Sequence, residues 1–201
     1  FRLGSGLLGW AITPIEVLSL YSTLWALASL LVLYLILLRV TGQNWPIAGL
    51  LTAFYAVTFF FWYYSVTTEQ YTSAVFQTLL LIWLAFNWDD RPRNALLLWL
   101  AFISGTMLAN MVTTLLILPP LLWFILFRRD ESSRRWMLSI YLKRPKLIMA
   151  VVGLVLLPLL SYVYVYIRGA QHPEWRGQGS WSSTWAWFVQ FLTIQQGRDE
   201  L

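Results

Sequence analysis

The chain has no cysteine and a single histidine, and only 11% of its 201 residues are charged. Without cysteine there is no disulfide framework and no thiolate nucleophile. One histidine, His172, leaves a histidine-based metal site without enough ligands. A charged fraction this low, against about a quarter in an ordinary soluble domain, excludes a water-facing surface over most of the molecule. No phosphate-cradling glycine loop, Asn-x-Ser/Thr sequon or Ser/His/Asp set occurs. No basic face is interleaved with polar readout residues, so nucleic acid is excluded as a partner.

What is present is apolar: 59% hydrophobic residues and a mean hydropathy of +0.62. The apolar runs are continuous rather than alternating, which points to helices and away from a transmembrane barrel. The expected fold is all-α: a polytopic membrane protein of about six transmembrane helices plus interfacial amphipathic helices. The spans fall at roughly 15–39, 46–64, 71–88, 95–109, 111–128 and 147–167. Residues 95–127 carry no charge. One helix of that length would run about 50 Å, so the break around Gly105 and Asn110 divides it. Pro46 suits the first turn of the second helix. Pro119 and Pro120 kink the fifth span or reset its start, and Pro158 sits inside the sixth.

Charge orients the chain. If alternate connections face opposite sides, Arg39, Arg91, Arg93, Arg128, Arg129, Arg134, Arg135, Lys143, Arg144 and Lys146 share one side. Only Arg2, Arg168, Arg176 and Arg198 take the other. The basic side is expected to be cytoplasmic. Residues 128–146 form a basic amphipathic cytoplasmic loop lying on the membrane. The flanks can reach anionic lipid headgroups, although a topology signal alone accounts for them. Residues 1–168 read as the membrane domain, with the start of the chain on the outer side. Residues 169–201 read as an external Trp-rich segment whose stretch TWAWFVQFL is an amphipathic interfacial helix. Phe1 is not preceded by a basic n-region, and the chain reads as part of a longer protein.

Five residues stand out on the outer side. Glu69 is the only acid between Glu16 and Asp89. In the turn VTTEQYT it is either a hydrated loop carboxylate or a group that binds a divalent metal, orients an acceptor hydroxyl or acts as a base. Asn110 either caps a helix break or faces a polar cavity. Arg168 either pairs with a phosphate or snorkels at the interface. Trp175 belongs to a cluster with Trp181, Trp185 and Trp187 that either anchors in the interface or stacks on a sugar. Tyr71 closes the Glu69 turn. His172 is an exposed loop histidine by default, and Glu16 an acid favoured by a helix N-terminus.

Three stretches together resemble a family. FFFWYYSVTTEQYTSAVFQTLLLIWLAFNW is similar to an aromatic helix end followed by an Ala-Glu-x-Tyr element, with Glu69 and Tyr71 at the matching positions. GTMLANMVTTLLILPPLLWFIL is similar to a Gly-Asn-His-hydroxyl stretch before a Pro-containing helix. Asn110 and Thr113 match there, and Met111 replaces the His. YVYVYIRGAQHPEWRGQGSW supplies Arg168, Pro173, Trp175 and Gly177. The chain thereby resembles the protein O-mannosyltransferase-like family of GT-C type, with many bacterial multispan members and a vertebrate transmembrane O-mannosyltransferase. The resemblance implies a GT-C-like fold in a bacterial inner membrane. It implies sugar transfer from a polyprenyl-phosphate donor to an acceptor hydroxyl on the outer face. Glu69, Tyr71, Asn110, Arg168 and Trp175 would contact substrate, and the catalytic acid would lie upstream of Phe1. The partners are membrane lipid and a lipid-linked sugar. The rival reading is a non-catalytic structural subunit of a larger membrane complex.

Overall fold

The structure, a computed structural model, describes residues 14–67, 71–110, 116–129, 136–138, 144–176 and 181–193. Its described elements are helical apart from one short ladder. Helix α1 is Pro14–Val40, α2 Trp45–Ala56, α3 Phe59–Val66, α4 Tyr71–Asp90, α5 Asn94–Asn110 and α6 Leu118–Leu126. After strands β1 Phe127–Arg129 and β2 Trp136–Leu138 come α7 Pro145–Leu156, α8 Leu160–Gln171 and α9 Thr184–Thr193.

Along α1 the buried positions of the first half are small or hydroxylic, Ser22, Ala26 and Ser29, with Val32 and Ile36 buried further on, while Leu24, Leu27 and Leu31 are exposed. Between helices in lipid there is no water to escape, so association relies on close backbone approach and short hydrogen bonds. Small residues on α1 allow that approach to α4. Ser29 Oγ donates to Trp25 O at 2.8 Å and reaches Thr72 O of α4 at 3.4 Å. Thr23 Oγ1 likewise donates to Ser19 O within its own helix and to Ser65 O of α3. At 27 residues α1 is about 40 Å long, enough to cross a 30 Å core with tilt.

Two described segments are long and apolar enough to cross a membrane: Glu16–Val40 and Pro145–Gln171, the latter comprising α7, a turn at 157–159 and α8. A third candidate is α2 with α3, but this is not the straight 46–64 helix expected from the sequence. The two meet at 66°. Thr58 is extended, with its hydroxyl donating to Tyr55 O at 2.7 Å, so the hydroxyl takes up a carbonyl that a continuous helix would use otherwise. The expected 111–128 span is described only from residue 116, and its helix starts at Leu118 with Pro119 and Pro120 in the first turn. The prolines therefore reset the helix rather than kink it. Pro46 likewise lies in the first turn of α2, which Asn44 caps by accepting from Ile47 N. Residues 127–129 and 136–138 of the expected surface loop pair as an antiparallel ladder, Arg128 opposite Met137. The rest of that loop lies outside the described residues.

The helix ends sort into two groups. Arg39 closes α1 and forms a two-pronged ion pair with Asp90 at the end of α4, at 2.5 and 2.7 Å, its guanidinium lying 5.0 Å from the Phe86 ring. Trp88 packs against Phe124, so α6 comes down to the same end. Helices α5 and α7 run parallel: Leu97 and Leu147 line one cleft, and eight residues on, Gly105 meets Val155. This basic end thus carries Arg39, Arg91, Arg93, Arg144 and Lys146. At the far end lie the starts of α1 and α4 and the ends of α3, α5 and α8.

The guanidinium of Arg39 holds the Asp90 carboxyl below the usual carboxylate range. A depressed carboxyl contributes stability that is complete above its ordinary pKa and is lost as pH falls through the lowered value. Thermal unfolding of Arg39→Gln should therefore match wild type in strongly acidic buffer and fall below it near neutral pH. A gap that persists unchanged at low pH would mean Arg39 acts by packing alone.

Candidate functional site

The far end gathers part of the candidate set. Asn110, the last residue of α5, donates through Nδ2 to Ser73 Oγ of α4 at 3.0 Å and lies 3.5 Å from Gln77 Oε1. Ser73 and Gln77 are one helical turn apart, so their side chains stack on one face of α4 and meet Asn110 together. Asn110 thus ends α5 and its amide joins a polar cluster on α4. Beside it the Thr72 hydroxyl is buried, with no hydrogen-bond partner among the described residues. The first turn of α4 adds backbone N–H groups without intrahelical partners, so this corner has a positive partial charge suited to an anionic or hydroxyl group.

Tyr71 opens α4 and is 40% exposed, its ring 4.6 Å from that of Tyr64. Tyr63 and Phe59 extend this aromatic surface along α3. Glu69 lies outside the described residues. Thr113 and Gly177 are also outside them.

Arg168 sits in the last turn of α8, where a cation complements the helix C-terminus. Tyr162 Oη donates to Leu108 O at 3.0 Å, which ties α8 to the end of α5. Arg168 lies six residues beyond Tyr162, about 9 Å further along the axis. Trp175 stands in a single 3-10 turn, Pro173–Trp175, directly after α8. His172 is half-buried rather than a plain loop residue, and its Nδ1 lies 3.0 Å from Glu174 Oε1. Glu174's carboxyl is held below its usual range, first by its own backbone N–H and then by His172.

Arg176 is the hub of the segment after the 3-10 turn. Its Nε donates to Gly169 O at 2.7 Å and its Nη2 to Thr184 Oγ1 at 2.8 Å, while Trp187 Nε1 donates to Arg176 O. These bonds fold α9 back on α8. Trp187 and Phe188 are buried there, while Trp185, Val189 and Phe191 stay exposed, as the amphipathic reading of TWAWFVQFL expects. The far end thus carries a polar cluster of hydroxyls and amides on α4 and α5, with aromatics of α3 and α4 nearby and the arginine-bearing end of α8 at the same side.

Residues 7–135, more than half of the chain, match the family profile described as Protein O-mannosyl-transferase TMEM260 N-terminal domain. The chain belongs to this family of protein O-mannosyl-transferases. No curated protein and no solved structure matches it. The match extends over α1 to β1, so the TMEM260-type domain includes Tyr71, Asn110 and the α4 polar face. Arg168 and Trp175 lie beyond the matched region.

Sequence reasoning passed over Thr72, Ser73, Gln77 and Arg176. The 73/77 pair was detectable as two polar residues four apart at the start of an otherwise apolar helix. Arg176 gave no signal of its own, because its partners are a backbone carbonyl and a threonine hydroxyl.

Proposed function

We propose that the chain is the membrane core of a GT-C-type glycosyltransferase with six crossing segments, its basic end cytoplasmic and its far end outward. The resemblance to bacterial multispan proteins suggests a bacterial inner membrane. The donor is a sugar linked to a polyprenyl phosphate and the acceptor is a hydroxyl. In the reaction the acceptor oxygen attacks the anomeric carbon and a new C–O bond forms. The bond from that carbon to the phosphate oxygen breaks, the phosphate leaving with the electron pair. An acid upstream of Phe1 takes the hydroxyl proton. Glu69 orients the acceptor or a divalent metal. Arg168 offers two parallel N–H donors to the donor phosphate. Tyr71, Asn110 and Trp175 contact sugar or acceptor.

The observation that carries this reading is the family match over residues 7–135. The far-end cluster of Asn110 with Ser73, beside Tyr71, is consistent with it. The rival reading, a non-catalytic subunit, draws support from Met111 standing where the resemblance expects His. The full-length protein in proteoliposomes, supplied with polyprenyl-phosphate mannose and a Ser/Thr peptide, decides between them. Transfer by the protein purified alone rejects the subunit reading. Glu69→Gln and Arg168→Ala are each expected to slow transfer roughly 10²-fold, the scale of losing one donor to developing charge. Undiminished transfer in both variants rejects these roles.

A further inference from the structure

At the basic end, α5, α6 and α7 enclose a cleft of about 280 Å³. Its walls are leucine, isoleucine, valine and alanine, and the one hydroxyl, of Ser104, is turned back onto Leu100 O at 2.7 Å. A helix is 10–12 Å across with its side chains and does not fit such a space. The volume also falls just below the range of small-molecule sites, so it suits one hydrocarbon chain rather than a bulky head.

Cations stand at its lower edge. Arg93 and Arg144 occupy equivalent places, each immediately before its helix and each accepting that helix's first backbone hydrogen bonds, from Leu97 N and Ile148 N. Each therefore lies one turn before a residue that lines the cleft. Lys146 is exposed beside them, next to the lining residue Leu147. The parallel register of α5 and α7 brings these two helix starts side by side, and their N-terminal partial charges add to the field. Of the two acids that end α4 at this side, Asp90 is paired with Arg39, and Asp89 adds one carboxylate to an end that carries Arg39, Arg91, Arg93, Arg144 and Lys146.

An apolar slot for one chain beneath a cationic rim is the complement of one molecule type. We propose that this cleft is a binding site for an anionic phospholipid. The headgroup phosphate would sit among Arg93, Arg144 and Lys146, and one acyl chain would lie along α5 toward Ser104. This site is separate from the far-end polar cluster and does not depend on the glycosyltransferase reading.

The test is native mass spectrometry of the full-length protein, released from detergent with equimolar dioleoylphosphatidylglycerol and dioleoylphosphatidylcholine. Wild type is expected to retain the anionic lipid about tenfold over the zwitterionic one, in line with the usual contribution of a few basic side chains at an anionic surface. The combined variant Arg93→Gln, Arg144→Gln and Lys146→Gln should bring the ratio to near one. Leu122→Trp, which fills the cleft from α6, should release the anionic lipid with the rim intact. Soluble glycerol 1-phosphate should compete at least tenfold less well than the lipid. Equal retention of both lipids by wild type overturns the proposal and requires no variant to fold. A preference that survives the triple substitution, or glycerol phosphate competing as well as the lipid, overturns it too.

Discussion

Gly105→Ala is expected to destabilise the protein sharply, and Gly153→Ala to stabilise it slightly, although both replace a helical glycine by the best helix former. At Gly105 a Cβ would fall on the Val155 carbonyl of α7, a contact with backbone that no rotamer change relieves. The two helices must move apart. Forcing extra carbon into a packed interface costs about 1–3 kcal/mol, and Gly105→Val, with two more methyls, more than that. At Gly153 nothing lies within 4 Å, so only the propensity gain remains, about 0.5–1 kcal/mol. Thermal unfolding of the two variants in the same detergent reads the difference directly. A Gly105→Ala protein as stable as Gly153→Ala would mean that α5 and α7 do not touch there. The lipid cleft makes a second readout available, because helices wedged apart at Gly105 also widen the slot between Leu97 and Leu147.

The contrast shows which parts of this fold were legible in the sequence. Lipid leaves a coarse record: long apolar runs, aromatic ends and arginines at one set of flanks. α1 appears almost where its run of uncharged residues says. Bilayer thickness requires the 95–127 run to divide, and of the expected break around Gly105 and Asn110 only Asn110 ends a helix, Gly105 lying inside α5; the prolines at 46, 119 and 120 mark helix starts because a first-turn residue needs no N–H partner. The clustering of Arg39, Arg91, Arg93, Arg144 and Lys146 at one end follows from the same asymmetry.

Other features depend on single polar atoms that composition does not weigh. The 66° bend between α2 and α3 has no proline or glycine; it rests on the Thr58 hydroxyl reaching Tyr55 O. Pairing of 127–129 with 136–138 is set by backbone groups within a segment that reads from its side chains as a basic amphipathic surface loop. Asn110 was visible as a polar residue at a helix break, but its partner Ser73 was not, since a serine in an apolar helix usually bonds its own backbone. Distance between sites is equally hidden. Asn110 reaches the first turns of α4, which Tyr71 opens, whereas Arg168 stands on a separate helix that the Tyr162 bond to Leu108 ties to the end of α5.

Replacing Arg176 should free α9 from α8 while leaving the membrane helices folded. Arg176 makes two charge-assisted bonds, to Gly169 O and Thr184 Oγ1, and its own carbonyl receives Trp187 Nε1. A hydrogen bond to a charged group is worth about 1.5–3 kcal/mol, and for half-buried partners the lower figure applies to each of the two, so Arg176→Ala should lose about 3 kcal/mol locally. The remaining contacts are aromatic: Tyr166 against Trp185 and Phe188, with Trp187 over Gly169. The last of these has no tolerance at its base, because a Cβ on Gly169 would enter the Trp187 ring. Gly169→Ala should therefore produce the same release with both arginine donors intact. Arg176→Lys separates charge from geometry: one ammonium cannot reproduce the two fixed, spaced donors, Nε and Nη2, of the guanidinium edge, so most of the loss should persist. Amide hydrogen exchange over 184–193 is the measurement, with α1 as the internal reference. Faster exchange confined to 184–193 in all three variants is the expected result. Exchange there that stays at the wild-type rate in Arg176→Ala would show that aromatic packing alone holds α9, and that the arginine serves the interface rather than the fold.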